Sequence, residues 1–346
     1  MANLNGWVIV EMIYLGVLCV VGTLGNLLVI LAVLTTPSLR QRPNFFIVVL
    51  AICDLVTSAV SIPFYILTLG YGDWPFHDSW CVFLAYVTLW SLGWSVTTLA
   101  LIAGNRYLSI TRPKYRYNKL CNNLSLAISS SGQLMLGMVM IMLPPFLGVG
   151  SLGFNPVLGH CSYVYDNFTD WIYVLVLFLS GVISTALVLP CYYAMTFYIV
   201  RRSRLNISNS RQRSLSSSNL NQGAPRDRTR FAISRDEIRL TKKLVLLFVV
   251  FLFCWLPYSI VVFLDSDLSV SIPAQRITNL LLWSNSGINP FLYAWMMQRF
   301  RLAYKRLLRC RGFKRCRQVS GNEGSILNRS EQRSTPETLN QRSIWI

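Results

Sequence analysis

The chain has 346 residues, 53% of them hydrophobic and 13% charged, with 32 Lys and Arg against 14 acids for a net charge of +18. A soluble domain carries about twice that charged fraction, so the composition excludes an ordinary water-soluble fold. A basic excess on one soluble face would point to nucleic acid, but here the bases lie in loops and a tail between oily runs, as in a membrane protein.

One hydrocarbon crossing needs ~20 predominantly apolar residues. Seven runs meet that need, at 8–34, 44–69, 80–104, 124–149, 171–200, 240–264 and 274–297. The expected fold class is therefore an all-α membrane protein. It has a short segment 1–7, a seven-helix bundle over 8–298 with a third inner loop at about 203–238, an amphipathic surface helix at 299–310 and a disordered tail at 311–346. The first run is too long and continuous for a cleaved signal peptide. No internal repeat is visible, and no soluble domain is expected before or after the helices.

Arg40 and Arg42 follow the first span, and Arg112, Lys114, Arg116 and Lys119 follow the third. The loop from Arg201 to Lys243 and the start of the tail, with Arg299, Arg301, Lys305 and Arg306, are basic as well. The alternate loops carry Asp73, Asp78, Asp166, Asp170, Asp265 and Asp267, with Arg276 nearly their only base. Basic loops stay cytoplasmic, so the N-terminus is expected outside and the C-terminus inside. Of nine cysteines, only Cys81 and Cys161 fall on the oxidising side, where disulfides persist. A bridge would pin the long outer loop to the top of the third span; two free thiols are the alternative. Asn167-Phe168-Thr169 is a glycosylation sequon on the same face.

Polar groups at membrane depth are expensive enough to need a reason. Asp54 in "LAICDLVTS" is expected to gather Asn26, Ser95, Asn285, Ser286 and Asn289, either as a small-cation or proton site or as polar glue between helices. Pro190, Pro257 and Pro290 interrupt apolar spans and should kink them. Catalysis finds no support: the two histidines, His77 and His160, both lie in outer loops, and no nucleophile–base spacing is present.

One motif falls in each span, in order. They are "GNLLV" with Asn26, "LAICD" with Asp54, Cys81 opening the third span and "NRY" (Asn105, Arg106, Tyr107) closing it, then "LPCYYAMTFY" with Pro190 and Tyr198, "FLFCWLP" with Phe251, Trp255 and Pro257, and "NSGINPFLY" with Asn289, Pro290 and Tyr293. This ordered set resembles the rhodopsin-like (class A) G-protein-coupled receptors over nearly the whole chain to about residue 310.

The resemblance implies that Arg106 sits at a cytoplasmic mouth, held partly by Glu237 at the foot of the sixth span, and that outward movement of that span lets Arg106, Tyr198 and Tyr293 help form a G-protein groove. Phe251 and Trp255 would relay ligand-induced repacking. Asp54, Ser95, Asn285, Ser286 and Asn289 would line an allosteric sodium pocket. Two departures stand out: Asn105 replaces the usual acid before the arginine, and Met135 stands where the fourth span usually has tryptophan.

Thr88 occupies the place of the amine-binding aspartate, and Val182, Ile183 and Ala186 replace a catechol-binding serine run. Every lysine lies in loops or tail and Trp283 stands at the Schiff-base position, so covalent retinal is not expected. The pocket that remains, near Thr88, Leu92, Trp255, Tyr258, Ser259, Asn279 and Trp283, suits a neutral amphiphile, an indoleamide, a lipid or a compact peptide. "NRY", the missing aspartate and "FNPVLGHCSY" resemble melatonin-type receptors and related orphans, whereas "NPFLY" departs from them.

Ser214, Ser216, Ser217 and Ser218 lie beside arginines in the third inner loop, and Ser330, Ser334 and Thr335 lie in the tail. The loop serines suit a basophilic kinase, and phosphate added by it or by receptor kinases would recruit arrestin by charge; a solvated spacer is the alternative. Cys310 and Cys316, flanked by bases, are palmitoylation candidates. Against the receptor stand a non-coupling ligand-binding decoy and a seven-helix transporter, for which Asp54 is the main support.

Overall fold

A computed structural model describes residues 5–164, 167–183, 191–192, 194–198, 201, 235–265 and 270–309. The first helix, α1 (Gly6–Thr35), starts where the Asn5 side chain accepts from the Val8 N–H at 3.1 Å. Its exposed apolar residues, Val10, Ile13, Val17, Val20, Leu24 and Leu27, recur every three or four positions and form one outward stripe. The opposite face buries Glu11, Leu15, Leu18, Gly22, Asn26 and Val29. That inversion suits a lipid solvent, in which the apolar side faces outward and small or polar groups meet inside.

The second span runs as α2 (Phe45–Val56), a π turn over Thr57–Ser61 and α3 (Ile62–Tyr71). Pro63 follows the π turn and has no N–H with which to continue a regular ladder. Thr57, Ser58 and Ser61 of the widened turn are all buried toward the bundle interior. Gly72 then ends α3 at φ 79°, its N–H closing on the Thr68 carbonyl at 2.8 Å.

Helix α4 (Asp78–Thr111) runs well past the expected end at 104, so Arg106 lies inside the helix and not at its end. Short α5 (Lys114–Leu120) and then α6 (Asn123–Phe146) follow, α6 capped by Asn122 and ending just after Pro144-Pro145, short of the expected 149. A hairpin of β1 (Ser151–Asn155) and β2 (His160–Val164) pairs Phe154 with Cys161 and Asn155 with His160. The described part of the fifth span is α7 (Phe168–Ile183), together with helical residues at 194–198; Pro190 lies outside the described residues. Helix α8 (Arg235–Leu264) begins before the expected 240, α9 (Ile272–Met296) is the seventh span, and α10 (Gln298–Arg309) follows after Met297.

Among the described residues, five helices are long and apolar enough to cross a membrane: Gly6–Thr35, Phe45–Tyr71, Asp78–Thr111, Asn123–Phe146 and Val245–Leu264. Phe168–Gly181 is apolar but shorter. Helix α9 is less apolar because it directs Gln275, Asn279, Ser284, Asn285, Ser286 and Asn289 inward, where all are buried. It packs on α8 and α1, and α1 packs on α2. The α1–α9 approach needs glycine: a Cβ on Gly25 would stand 2.8 Å from Pro290 Cγ, and one on Gly287 would collide with Leu18.

Candidate ligand and coupling sites

At the hairpin end of the bundle, the turn joining the two strands is driven into a gap between α1, α3 and α9. Cys81 and Cys161 are disulfide-bonded, which fixes β2 to the start of α4. Gly159 takes φ 77° at the tip, where a Cβ would stand 2.9 Å from Leu69. The Tyr65 hydroxyl lies 2.7 Å from Glu11 Oε1 and 2.9 Å from the Leu158 carbonyl. Thr68 Oγ1 reaches the Gly159 carbonyl at 2.6 Å, and Arg276 Nε donates to the Val157 carbonyl at 3.0 Å. The Arg276 guanidinium pairs with Glu11 Oε2 at 3.3 Å.

His160 is buried beneath this pair, its ring 4.5 Å from Tyr65 and 5.4 Å from Trp283. Burial, with a smaller push from the Arg276 charge, lowers its pKa from 6.5 to about 4 against the raising effect of its hydrogen bond to the Leu158 carbonyl, so the ring is neutral at pH 7. Asn279 accepts from Trp283 Nε1 at 3.1 Å and points its amide at Tyr65. From sequence, Arg276 reads as an outer-loop base, and Glu11 goes unremarked in the first oily run. The signal was there: a carboxylate at membrane depth needs a partner, and Arg276 is nearly the only base on that face.

The seven residues expected to line one pocket divide between two levels. Thr88 and Trp283 border a void of about 10 Å³ under the hairpin, room for roughly one water. Leu92 and Trp255 line a separate cavity of about 250 Å³ deeper in the bundle. Tyr258 hydrogen-bonds Tyr163 of the hairpin, and Ser259 donates to its own helix at the Trp255 carbonyl, 3.0 Å away. Neither of these two cavities brings the seven residues together, and the hairpin borders the upper one.

Midway along the bundle, Asn289 Nδ2 donates to Asp54 Oδ2 at 2.7 Å, and Ser95 stands against the same carboxyl group. Thr57 and Ser91 share a hydroxyl hydrogen bond of 2.9 Å, and Thr88 donates to Ser61 at 2.8 Å. Asn26 Nδ2 bridges the Gly22 and Ser286 carbonyls at 2.9 and 2.8 Å. Ser286 donates its hydroxyl to the Trp283 carbonyl and not to Asp54, while Asn285 is buried on the same helix. The Asp54 carboxylate with the Ser95 hydroxyl beside it offers the hard oxygen donors that a small cation takes.

At the opposite end, Asn105 and Arg106 are both buried, and Asn105 Oδ1 accepts from the Tyr117 hydroxyl of α5 at 3.2 Å. Arg42 holds the next residue of α5, donating to Asn118 Oδ1 at 2.9 Å. Tyr107 faces Tyr192 with ring centroids 5.8 Å apart. Tyr293 is fully buried and stacks on Phe300 of α10 at 5.6 Å, whereas Tyr198 is exposed. Phe251 stacks on Trp255 with ring centroids 5.5 Å apart, and Trp255 stands two residues before Pro257. Glu237 belongs to α8, but its side chain, like Cys310 and Cys316, lies outside the described residues. Asn167 is exposed and accepts from the Asp170 N–H at 2.9 Å, which caps α7.

Residues 25–293 match the family "7 transmembrane receptor (rhodopsin family)". The chain belongs to this family. The receptor is 27% identical over 348 residues to the G-protein coupled receptor moody of Drosophila pseudoobscura pseudoobscura, with 84% of this chain and 51% of that one covered, so it spans about half that relative's length. It is 25% identical over 313 residues to the Allatostatin-A receptor of Bombyx mori (86% and 79% covered) and 26% identical over 299 residues to the Melatonin receptor type 1B of Homo sapiens (83% and 75% covered). The crystal structure of squid rhodopsin superposes with a TM-score of 0.73 at 21% identity, covering 93% of this chain and 92% of that one. The seven-helix fold is shared, and the receptor is a multi-pass membrane protein of a receptor family, not of an enzyme family.

Proposed function

We propose that this receptor binds a small neutral or amphiphilic ligand from outside the cell and activates heterotrimeric G proteins by outward movement of α8, with its N-terminus extracellular. The observation that carries this reading is the buried Arg106, about one and a half turns before the end of α4 at Thr111 and beside an Asn105 held by the inner-loop helix α5. A cation there is costly to hold and becomes useful when a neighbouring helix withdraws.

A receptor named for allatostatin-A and one named for melatonin lie at nearly the same identity, so the relatives favour no one ligand. The hairpin end favours an uncharged ligand: Glu11 and Arg276 balance each other, and His160 is neutral. Phe251 and Trp255 would pass repacking on to α8. A sodium ion held by Asp54 and Ser95, with Asn285, Ser286 and Asn289 around it, would favour the inactive arrangement, since a ligand shifts such an equilibrium only by its differential affinity for the two states.

On the inner side, receptor kinases, arrestin and palmitoylation at Cys310 and Cys316 complete the proposal, and Asn167 would carry the glycan outside. The test is a library screen against several G-protein readouts with Arg106→Ala as control. A ligand response lost in Arg106→Ala at equal surface expression supports coupling. A response that survives the substitution, or ligand binding without any response, favours a non-coupling decoy.

A further inference from the structure

The turn joining β1 to β2 satisfies its own N–H groups. Asn155 Oδ1 accepts from the N–H groups of Val157 and Leu158, each at 3.0 Å, and the Asn155 carbonyl accepts from the Gly159 N–H at 2.8 Å. The carbonyls of Val157, Leu158 and Gly159 are left to find donors outside the turn. Each meets a side chain of the bundle: Arg276 Nε at 3.0 Å, the Tyr65 hydroxyl at 2.9 Å and Thr68 Oγ1 at 2.6 Å. Leu158 is buried, and Gly159 combines its positive φ with a close approach to Leu69 that a Cβ would crowd.

The receiving side is equally self-sufficient. The Tyr65 hydroxyl has one proton for two acceptors, the Leu158 carbonyl and Glu11 Oε1, the latter at 2.7 Å. Thr68 Oγ1 likewise divides its proton between the Gly159 carbonyl and the Tyr65 carbonyl of its own helix, at 2.7 Å. Arg276 keeps Glu11 Oε2 at 3.3 Å whether or not its Nε holds Val157, and its partly exposed side chain can give that N–H to water. Lifting the turn away therefore strands no buried donor on either side, which is where the large cost of breaking such contacts would arise. Two preorganised halves that fit each other, joined through the strands and the Cys81–Cys161 bridge, are related as a ligand is to its site.

We propose that the turn is a tethered ligand, and that Tyr65, Thr68 and Arg276 form a site for a compact, uncharged peptide turn that displaces it. Such a ligand presents successive backbone carbonyls from an Asx-capped turn, with an apolar side chain in the place of Leu158 and glycine in the place of Gly159. The cradle offers donors, so it selects a peptide backbone over a protonated amine, which brings no acceptor. The tethered turn acts at an effective concentration on the order of millimolar, so a free peptide takes the site readily only where the turn is weakened. The inference deepens the receptor reading and rests on it for consequence alone: displacement unties the hairpin from α3 and α9.

The test uses the full chain in nanodiscs, with Asn155→Ala and Leu158→Ala together to loosen the turn and leave the cradle untouched. The probe is a backbone-cyclised peptide of residues 153–162 carrying Cys161→Ser. A cooperative melt shows that the loosened receptor is folded; where it is not, Leu158→Ala alone takes its place. The peptide should raise the melting temperature of the loosened receptor saturably, by on the order of 5 °C at about a hundredfold excess over its Kd. The wild type should not respond at that concentration, because its own turn holds the site. Thr68→Val or Arg276→Lys in the loosened receptor should each weaken the peptide about tenfold, the worth of one hydrogen bond. The same peptide with Asn155→Ala should be inert. Arg106→Ala should leave peptide binding unchanged, so failed coupling and a failed site are told apart. No saturable shift in a folded loosened receptor, an equal shift in the wild type, or a shift indifferent to Thr68→Val and Arg276→Lys would overturn the proposal.

Discussion

Glu11 and Arg276 stand 265 residues apart in the chain and meet at 3.3 Å at the hairpin end of the bundle. Between them they gather Tyr65 and the Val157 carbonyl, so one ion pair ties α1, α3, α9 and the hairpin together. Helix α9 is thereby coupled to the lid above it.

Removing one partner strands the other charge. Breaking a buried pair in this way costs roughly 3–5 kcal/mol. Arg276→Met should sit at the upper end because it strands the fully buried Glu11, and Glu11→Gln should cost less because the stranded Arg276 side chain is 16% exposed. The double variant should recover part of the loss. Thermal melting in nanodiscs for all four forms yields the coupling, and additive losses would show that the pair does not act as a unit.

His160 predicts the direction of a pH effect. Its pKa is about 4 when folded against 6.5 when unfolded, so between those values the unfolded chain binds the extra proton and stability rises with pH. The neutral ring's contribution is whole above about pH 6.5 and is lost as pH falls toward 4, by ~3 kcal/mol at most. The groups facing the ring are Tyr65, Trp283 and Arg276, with Glu11 behind them. Melting profiles from pH 7 to about 4.5 should fall steeply in the wild type and more gently in His160→Phe; parallel profiles would assign the effect elsewhere.

Asn105→Asp should lower basal signalling. The amide already accepts from Tyr117 at 3.2 Å; a carboxylate would strengthen that bond, charge-assisted bonds being about twice as strong as neutral ones, and would add an attraction to Arg106. Basal G-protein turnover at matched expression measures it, with a drop of about 3- to 10-fold expected. Unchanged turnover would remove Asn105 from the inactive restraint.

Sodium should stabilise the wild type and not Asp54→Asn, because the substitution takes away the one anionic ligand that Asn289 holds at 2.7 Å. Melting in sodium chloride against choline chloride at equal ionic strength separates ion binding from screening. A sodium response that persists in Asp54→Asn would place the ion elsewhere.

Hydropathy disclosed the crossings because lipid imposes a long apolar run on most of the helices; α9, which turns polar side chains inward, shows it least. Positions that act within one helix were legible for the same reason: Cys81, Asp54 and Arg106 stand out against oily neighbours. Contacts between distant segments were not. Glu11 looks like an isolated acid until Arg276 is brought beside it, and Asn105 looks like a missing charge until α5 supplies Tyr117. The end of α4 was misplaced because an apolar count stops at the first charges, whereas a helix continues through them when arginine has a buried niche. Nothing in "FNPVLGHCSY" says how deeply its turn descends toward Tyr65 and Thr68.

The most direct test of the account is GDP–GTP exchange on purified heterotrimeric G proteins, catalysed by the full receptor in nanodiscs, with Arg106→Ala alongside. The account predicts exchange above the receptor-free rate for the wild type on at least one G-protein class, and a return to that rate for Arg106→Ala with its melting temperature intact. Equal rates for wild type, Arg106→Ala and the receptor-free control across all classes, with and without the ligand library, would contradict it.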